Sequence, residues 1–142
     1  MTRQLVQTDD APQNPSYSQA VKAGGLIFLS GQGPYDPLSG AMVGATIQEQ
    51  TRQCLTNIEA ILEAGGSGLD RIVSMTFILG DSADCAGMNE EWRRSVPERP
   101  SRSSGGEAPA GRPRPAVVDI RDRRGLRAAK IESVRASRLH SP

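Results

Sequence analysis

The chain has 142 residues, of which 37% are hydrophobic and 23% charged, and its formal net charge is +1. These totals are typical of one soluble globular domain. No stretch approaches the roughly 18 consecutive apolar residues of a membrane helix, and the first ten residues lack the apolar centre of a signal peptide. We therefore expect a cytoplasmic protein with no membrane partner.

Charge and aromatic content divide the chain near residue 94. Residues 1–94 hold 6 Lys and Arg against 11 Asp and Glu, whereas residues 95–142 hold 11 against 5. All five aromatic residues lie before the division, and the segment after it is rich in Arg, Pro and Ser. The sequence predicts a folding domain over 1–94 and a polar, basic segment over 95–142 with few core residues.

Few reactive side chains are available. The two cysteines, Cys54 and Cys85, form neither a disulfide framework nor a zinc pattern. With His140 as the single histidine, a histidine metal site or a Ser-His-Asp triad is disfavoured. We expect no metal, and chemistry carried by Arg, Glu, Asp, Tyr, Ser, Cys or backbone groups.

The first predicted elements are an irregular lead-in over residues 1–16 and a hairpin. Two extended runs, 18–22 and 26–30, flank Gly24 and Gly25, which supply the positive φ of a tight turn. A turn-rich loop follows the second run.

A helix is predicted next. Thr46 and Glu49 form a Thr-x-x-Glu capping box, and Gly65 with Gly66 stops the helix. Small or apolar residues recur between them in helical steps, at Ile47, Thr51, Cys54, Leu55, Ile58, Ile61 and Leu62. This spacing predicts one buried stripe.

Residues 71–80 are predicted to form a strand whose two faces are both partly apolar. One face holds Val73, Met75, Phe77 and Leu79, and the other holds Ile72, Ser74, Thr76 and Ile78. Strands of this kind are usually covered on both sides. We therefore expect a partner subunit over the second face, with simple exposure of that face as the alternative.

A second helix is predicted after Asp81, which serves as its cap, with Cys85, Met88 and Trp92 on one apolar face. Beyond it, two short apolar clusters remain at 116–120 and 128–136. Either cluster is compatible with a strand.

Several of these segments resemble, in the same order, the RidA/YjgF family of enamine/imine deaminases, also called RutC or L-PSP. The matching segments are Tyr17-Ser18-Gln19-Ala20-Val21, Leu29-Ser30-Gly31-Gln32 with Asp36-Pro37 and Gly40, Glu49-Gln50-Thr51 with Asn57, Gly65-Gly66-Ser67, and Asn89 in the second helix. The resemblance covers residues 12–94.

The resemblance implies a chorismate-mutase-like α+β fold, a mixed sheet with two helices on one face. It also implies a homotrimer with sites between subunits. The implied reaction is hydrolysis of reactive, carboxylate-bearing enamines and imines such as 2-aminoacrylate to 2-keto acids and ammonia, without a cofactor. A non-catalytic trimeric member that binds small molecules or proteins is the alternative.

The resemblance also implies site residues, which we assign to the positions of this sequence that match the family's motifs. Tyr17, Ser30, Gly31 and Asn89 are expected to contact the substrate. Arg102, in a Pro-x-Arg-Ser context, is expected to bind the substrate carboxylate as a bidentate fork.

An acidic residue is needed to position the attacking water and to move its proton. Glu132, which has the closer local match, and Asp119, which lies nearer the expected distance, are both candidates. The family pattern breaks after Arg102, where prolines unsuited to a central strand follow. Two explanations stay open: an altered reading frame from about residue 95, or a diverged member with a flexible basic extension.

Nucleic-acid binding through the basic segment is disfavoured. The segment lacks aromatic residues for base stacking, and five acidic residues interrupt its positive charge.

Overall fold

The computed structural model describes residues 2–96, 103–104 and 130–136. The elements in chain order are β1 (Gln4–Val6), β2 (Ala20–Ala23), β3 (Leu26–Leu29), α1 (Ile47–Ala64), β4 (Ile72–Ile78), α2 (Cys85–Ser95), β5 (Ser103–Ser104) and β6 (Lys130–Ala136). Short 3-10 turns precede β4 and α2.

The strands form one sheet in the order β1-β2-β3-β6-β4-β5. Every pairing is antiparallel except that of β4 with β5, which is parallel. Both helices pack on one face of this mixed sheet, which confirms the predicted fold class. β6, one of the two clusters proposed as a strand, lies in the middle between β3 and β4. The other cluster, 116–120, lies outside the described residues.

The predicted hairpin is confirmed as β2 and β3, which are each shorter than expected. Gly24 and Gly25 occupy positive φ values of 58° and 75°. The prediction of an irregular lead-in over 1–16 is wrong for β1, which pairs with β2 through Val6 and Ala20. A strand of three residues is too short for an alternating pattern to stand out, and β2 supplies its hydrogen bonds.

The predicted α1 is confirmed with both halves of its capping box. The Glu49 amide donates to Thr46 Oγ1 at 3.2 Å, and the Thr46 amide donates to Glu49 Oε2 at 3.1 Å. The apolar stripe is buried, and the helix ends at Gly65, followed by Gly66 at φ 80°. Capping satisfies amides that would otherwise lack partners at the helix start.

The predicted faces of β4 need one correction. Ile72 was assigned to the face opposite Met75, yet both side chains are buried in the core beneath the helices. The register shifts between Ile72 and Ser74, so that Val73 is the extra residue of a β-bulge. A bulge reverses the alternation of side chains along a strand, which puts Ile72 on the helix side.

α2 closes the core over β4. Met88 and Trp92 are buried as predicted, and the Trp92 ring meets the Phe77 ring edge to face, with centroids 5.1 Å apart. The sheet face turned away from the helices exposes Leu5 and Phe28, at 59% and 40%. No helix in the described part of the chain is long and apolar enough to cross a membrane, and the cytoplasmic location stays a prediction.

One ion pair joins the two helices. Arg52 Nε donates to Glu91 Oε1 at 2.8 Å, and its Nη2 donates to Glu91 Oε2 at 3.0 Å. The Glu91 side chain is 4% exposed, whereas that of Arg52 is 56% exposed. The Arg52 hydrogen bonds hold the pKa of Glu91 below its ordinary value of 4.5, because they favour the charged form.

We expect Glu91→Gln to destabilise the protein by about 1 kcal/mol at neutral pH, since a charged hydrogen bond is lost from a pair that solvent partly screens. A lowered folded-state pKa stabilises the protein above the ordinary glutamate pKa, and this contribution is lost as the pH falls through the folded value. Wild type and variant should therefore converge in stability at acidic pH. Urea unfolding as a function of pH measures both effects.

Glu90→Gln is the matched control. Glu90 lies on the same helix, and its pair with Arg94 has both side chains more than half exposed. This substitution should leave stability unchanged. Equal losses from the two variants would contradict a special role for Glu91.

Candidate functional site

The end of the β2–β3 hairpin opposite its turn gathers three of the predicted site residues. The Ser30 amide donates to the Gln19 carbonyl at 2.9 Å, and Ser30 Oγ donates to the Ser18 carbonyl at 2.5 Å. Tyr17 is the chain neighbour of Ser18, and its side chain is exposed. The structure therefore brings Tyr17 close to Ser30 and Gly31, and their contact with substrate stays a prediction.

Gln19 anchors the segment that leads into this end. It is 3% exposed, and its Oε1 accepts the Thr8 amide at 2.7 Å. Its Nε2 lies 3.0 Å from the carbonyls of Thr8 and Ala11 and 3.1 Å from that of Pro12. One buried amide therefore satisfies four backbone groups of the lead-in, which fixes its path past the hairpin.

Asn57 anchors the segment that leaves this end. Its Nδ2 donates to the Gly33 carbonyl at 3.2 Å and to the Tyr35 carbonyl at 2.9 Å. Sequence reasoning missed the roles of Gln19 and Asn57. The available signal was that Asn57 is a polar residue on the apolar stripe of α1, since Cys54 and Ile61 lie three and four residues away.

Asn89 lies apart from the hairpin end. Its side chain is half-buried on α2, and its Nδ2 donates to Cys85 Sγ at 3.5 Å. Within the described part of the chain, Asn89 is thus directed to its own helix. Its predicted contact with substrate stays a prediction.

Arg102 and Asp119 lie outside the described residues. The two residues after Arg102 form β5, in which Ser104 pairs with Thr76 of β4. On the other side of β4, Thr76 pairs with Ser133 of β6. Ser104 and Ser133 are therefore level with one another, about 10 Å apart across two strand spacings.

The backbone of Glu132 is described, and its place in β6 is informative. The register passes from Ser133 to Ile131 against consecutive residues of β4, so Glu132 is the extra residue of a bulge. Bulges are frequent beside active sites. β3 ends at Leu29, and continuing its register with β6 beyond the pairing of Phe28 with Arg135 would bring Gly31 level with Glu132.

One level of the sheet lies at or within two residues of four candidates, namely Ser30, Gly31, Arg102 and Glu132. It runs through Ser133 of β6, Thr76 of β4 and Ser104 of β5. Continuing the β3–β6 register two residues past its last pair, Phe28 with Arg135, would place Ser30 opposite Ser133. Arg102 precedes this level by two residues, and Glu132 adjoins it. We name it the site level.

The buried thiol of Cys54 is not a candidate nucleophile. Cys54 is fully buried in α1, and burial raises its pKa to about 12. Its sulfur stays protonated at neutral pH, and a thiol is a poor nucleophile.

Comparison with known proteins identifies the family. A sequence profile described as Endoribonuclease L-PSP matches residues 8–113. The chain belongs to this family. It is the RidA/YjgF/RutC family that the motifs predicted, so that prediction is confirmed.

Relatives within the RidA family support the assignment. A RutC family protein from Pyrococcus horikoshii is 43% identical over 102 residues, which cover 70% of this chain and 81% of that protein. A 2-iminobutanoate/2-iminopropanoate deaminase from Capra hircus is 36% identical over 95 residues, covering 66% and 69%. A solved structure of a proposed endoribonuclease from Thermotoga maritima superposes with a TM-score of 0.77, at 34% identity over 96% of this chain and 98% of that one.

We expect Gln19→Leu to destabilise this RidA-family protein by about 1–3 kcal/mol, because buried backbone groups lose their partner. Amide hydrogen exchange should accelerate over residues 8–12. Gln13→Leu is the control, since Gln13 is an exposed residue of the same segment. Unchanged exchange over 8–12 in Gln19→Leu would contradict the anchoring role.

Proposed function

We propose that the protein hydrolyses reactive enamines and imines of the 2-aminoacrylate type to 2-keto acids and ammonia. The observation that carries the proposal is the likeness to the Capra hircus deaminase, whose name specifies 2-imino acids as its substrates. Ser30, which the family resemblance assigns to the site, lies at the site level, and Gly31, which the resemblance also assigns to the site, is the next residue. Arg102 and Glu132 adjoin that level in sequence.

The reaction suits these residue types. An enamine tautomerises to the imine, water adds to the imine carbon, and ammonia leaves as the C–N bond breaks to give the ketone. Arg102 binds the substrate carboxylate as a fork. An acidic side chain takes a proton from the attacking water and returns one to the leaving nitrogen.

Glu132 is the acid favoured by the backbone register. It comes level with Gly31, whereas Asp119 has no described position. A bulge at Glu132 interrupts the ladder where a substrate needs room.

Ser30 has a defined hydrogen-bonding role in this proposal. Its hydroxyl hydrogen is donated to the Ser18 carbonyl, so the oxygen keeps lone pairs for accepting. An amino or imino N–H of the substrate is the matching donor.

We also propose that the protein is a homotrimer with its sites between subunits. The support is the sheet face turned away from the helices, where Leu5, Val21 and Phe28 lie in one register row. Leu5 and Phe28 are both exposed in the single chain. A second copy over this row would remove its apolar surface from water. This is favourable, because exposed apolar surface costs free energy.

A deaminase is favoured over a nuclease, although the family carries an endoribonuclease description. Residues 1–94 contain 11 acidic against 6 basic residues, which disfavours a phosphate backbone over this part of the chain, and the basic residues 95–142 include no aromatic residue for base stacking. The small anionic substrate needs only one local arginine.

The test generates 2-aminoacrylate with a pyridoxal-phosphate dehydratase and follows keto-acid release. Wild type should accelerate release, and Arg102→Ala should lower kcat/KM about 100-fold, because a bidentate charged hydrogen bond is lost. Arg99→Ala is the matched control from the same segment. In the same assay, Glu132→Gln should abolish acceleration and Asp119→Asn should preserve it.

Each failure has a distinct meaning. A wild type that does not accelerate release favours the non-catalytic binding member. Equal rates for wild type and Arg102→Ala remove Arg102 from the mechanism, and loss of activity in Asp119→Asn alone moves the acid to Asp119.

Phe28→Asp should convert the trimer to monomers and reduce deaminase activity, because a charge would be buried between subunits. Light scattering coupled to size exclusion measures the mass. Leu38→Asp is the control, since Leu38 is 94% exposed on the loop after β3. A wild type that runs as a monomer, or a trimeric Phe28→Asp, would overturn this interface.

A further inference from the structure

We infer that Asn57 is a positioning residue for the deaminase site, acting through the segment that leaves β3. The inference rests on the proposed function, because it assigns a role in that reaction to a residue outside the site. Asn57 lies on α1 and is 0% exposed. It reaches the site only through the backbone of residues 31–35.

Its hydrogen bonds define a single orientation of the amide. Nδ2 donates to the Gly33 and Tyr35 carbonyls, while Oδ1 accepts from Gln53 Nε2 at 3.0 Å. A flipped amide would point its oxygen at two carbonyls, which have no hydrogen to donate. The two carbonyls therefore fix the orientation, and Gln53 supports it by donating to Asn57 Oδ1 while its Nε2 also lies 3.5 Å from the Tyr35 carbonyl.

The segment that Asn57 binds, residues 33–35, is tightly folded. A Cβ added to Gly33 would lie 2.5 Å from Cε2 of Tyr35, so the Tyr35 ring packs directly against the Gly33 backbone. Pro34 between them is buried and has no N–H to offer. Asn57 therefore binds the carbonyls on both sides of a rigid residue, and the three residues move together.

The restraint that Asn57 places on Gly33 extends along the backbone to Gly31 and Ser30. Upstream, the Ser30 amide is held by the Gln19 carbonyl. Downstream, only Gln32 separates Gly31 from Gly33, and Gln32 Nε2 donates to the Ser30 carbonyl at 3.2 Å. With its upstream side fixed by β2, the position of Gly31 depends on where Asn57 holds Gly33.

Loss of the two hydrogen bonds from Asn57 to residues 33 and 35 should lower kcat without unfolding the protein. Displacement of a substrate-positioning group by about 1 Å costs on the order of 100-fold in rate. We expect Asn57→Leu, which keeps the branching of the side chain at Cγ but removes the donors, to lower kcat at least tenfold in the keto-acid assay. Gln53→Leu, at a half-buried position, should lower it by a smaller factor, since Asn57 keeps both donors and the protein loses only the Gln53 bonds to Asn57 Oδ1 and, at 3.5 Å, to the Tyr35 carbonyl.

Leu62→Ala is the matched control for stability. Leu62 is fully buried on the same helix but takes no part in the hydrogen bonds to residues 33–35. Rates are compared at a temperature where circular dichroism finds every variant folded. Amide exchange over residues 31–36 should accelerate in Asn57→Leu and Gln53→Leu, and stay at the wild-type rate in Leu62→Ala.

The outcomes separate the two proposals. Normal kcat in Asn57→Leu, or equal loss of kcat in Leu62→Ala, overturns the positioning role while leaving the deaminase intact. If Asn57→Leu does not fold, Gln53→Leu decides: a wild-type kcat with unchanged exchange overturns the inference, and a reduced kcat with faster exchange supports it. An inactive wild type overturns the proposed function and the role of Asn57 in it together.

Discussion

The centre of the sheet depends on backbone hydrogen bonds to a strand from the far end of the chain. β6 pairs with β3 on one side and β4 on the other, directly beneath the helices. Buried backbone amides and carbonyls must find partners, so the core around Ile27 and Met75 requires residues 130–136. This requirement for hydrogen-bond partners concerns backbone groups, so it hardly depends on which side chains the strand carries. A basic segment poor in apolar residues can therefore contribute a central strand to a domain whose apolar residues lie mainly before residue 97.

The hairpin end is held by neutral amides. Gln19 and Asn57 are both buried, and each satisfies several backbone carbonyls. A buried charge would cost far more in desolvation than an amide whose hydrogen bonds are all made. In the proposed reaction, neutral anchors would add no charge that competes with the arginine for the substrate carboxylate.

Sequence reasoning succeeded where the structure is determined by neighbours along the chain. The capping box of Thr46 and Glu49 joins residues three apart, and the hairpin follows from Gly24 and Gly25 at its turn. The fold class followed from the family motifs. These features need no knowledge of the rest of the fold, which explains why they are confirmed.

It failed where distant pairing decides the outcome. The bulge at Val73 exists only because β6 pairs with β4 in a shifted register, and nothing in residues 71–80 signals it. β1 is a strand because β2 lies beside it. The anchoring by Gln19 was likewise hidden, since its partners lie seven to eleven residues away in a segment without regular structure.

The outer face of the sheet and the site level are continuous, which supports the proposal of a site between subunits. Phe28 pairs with Arg135 in one row. Ser30 lies two residues further along the chain, and residues two apart in an extended segment lie on the same face. Thr76 likewise follows Met75, which faces the helices, and so belongs to the outer side. The apolar part of the outer face therefore ends where the polar site level begins. A second copy that covers Phe28 would border the site level, exclude water from it and strengthen the attraction between an arginine and a substrate carboxylate. Assembly and catalysis would then depend on the same face of the same sheet.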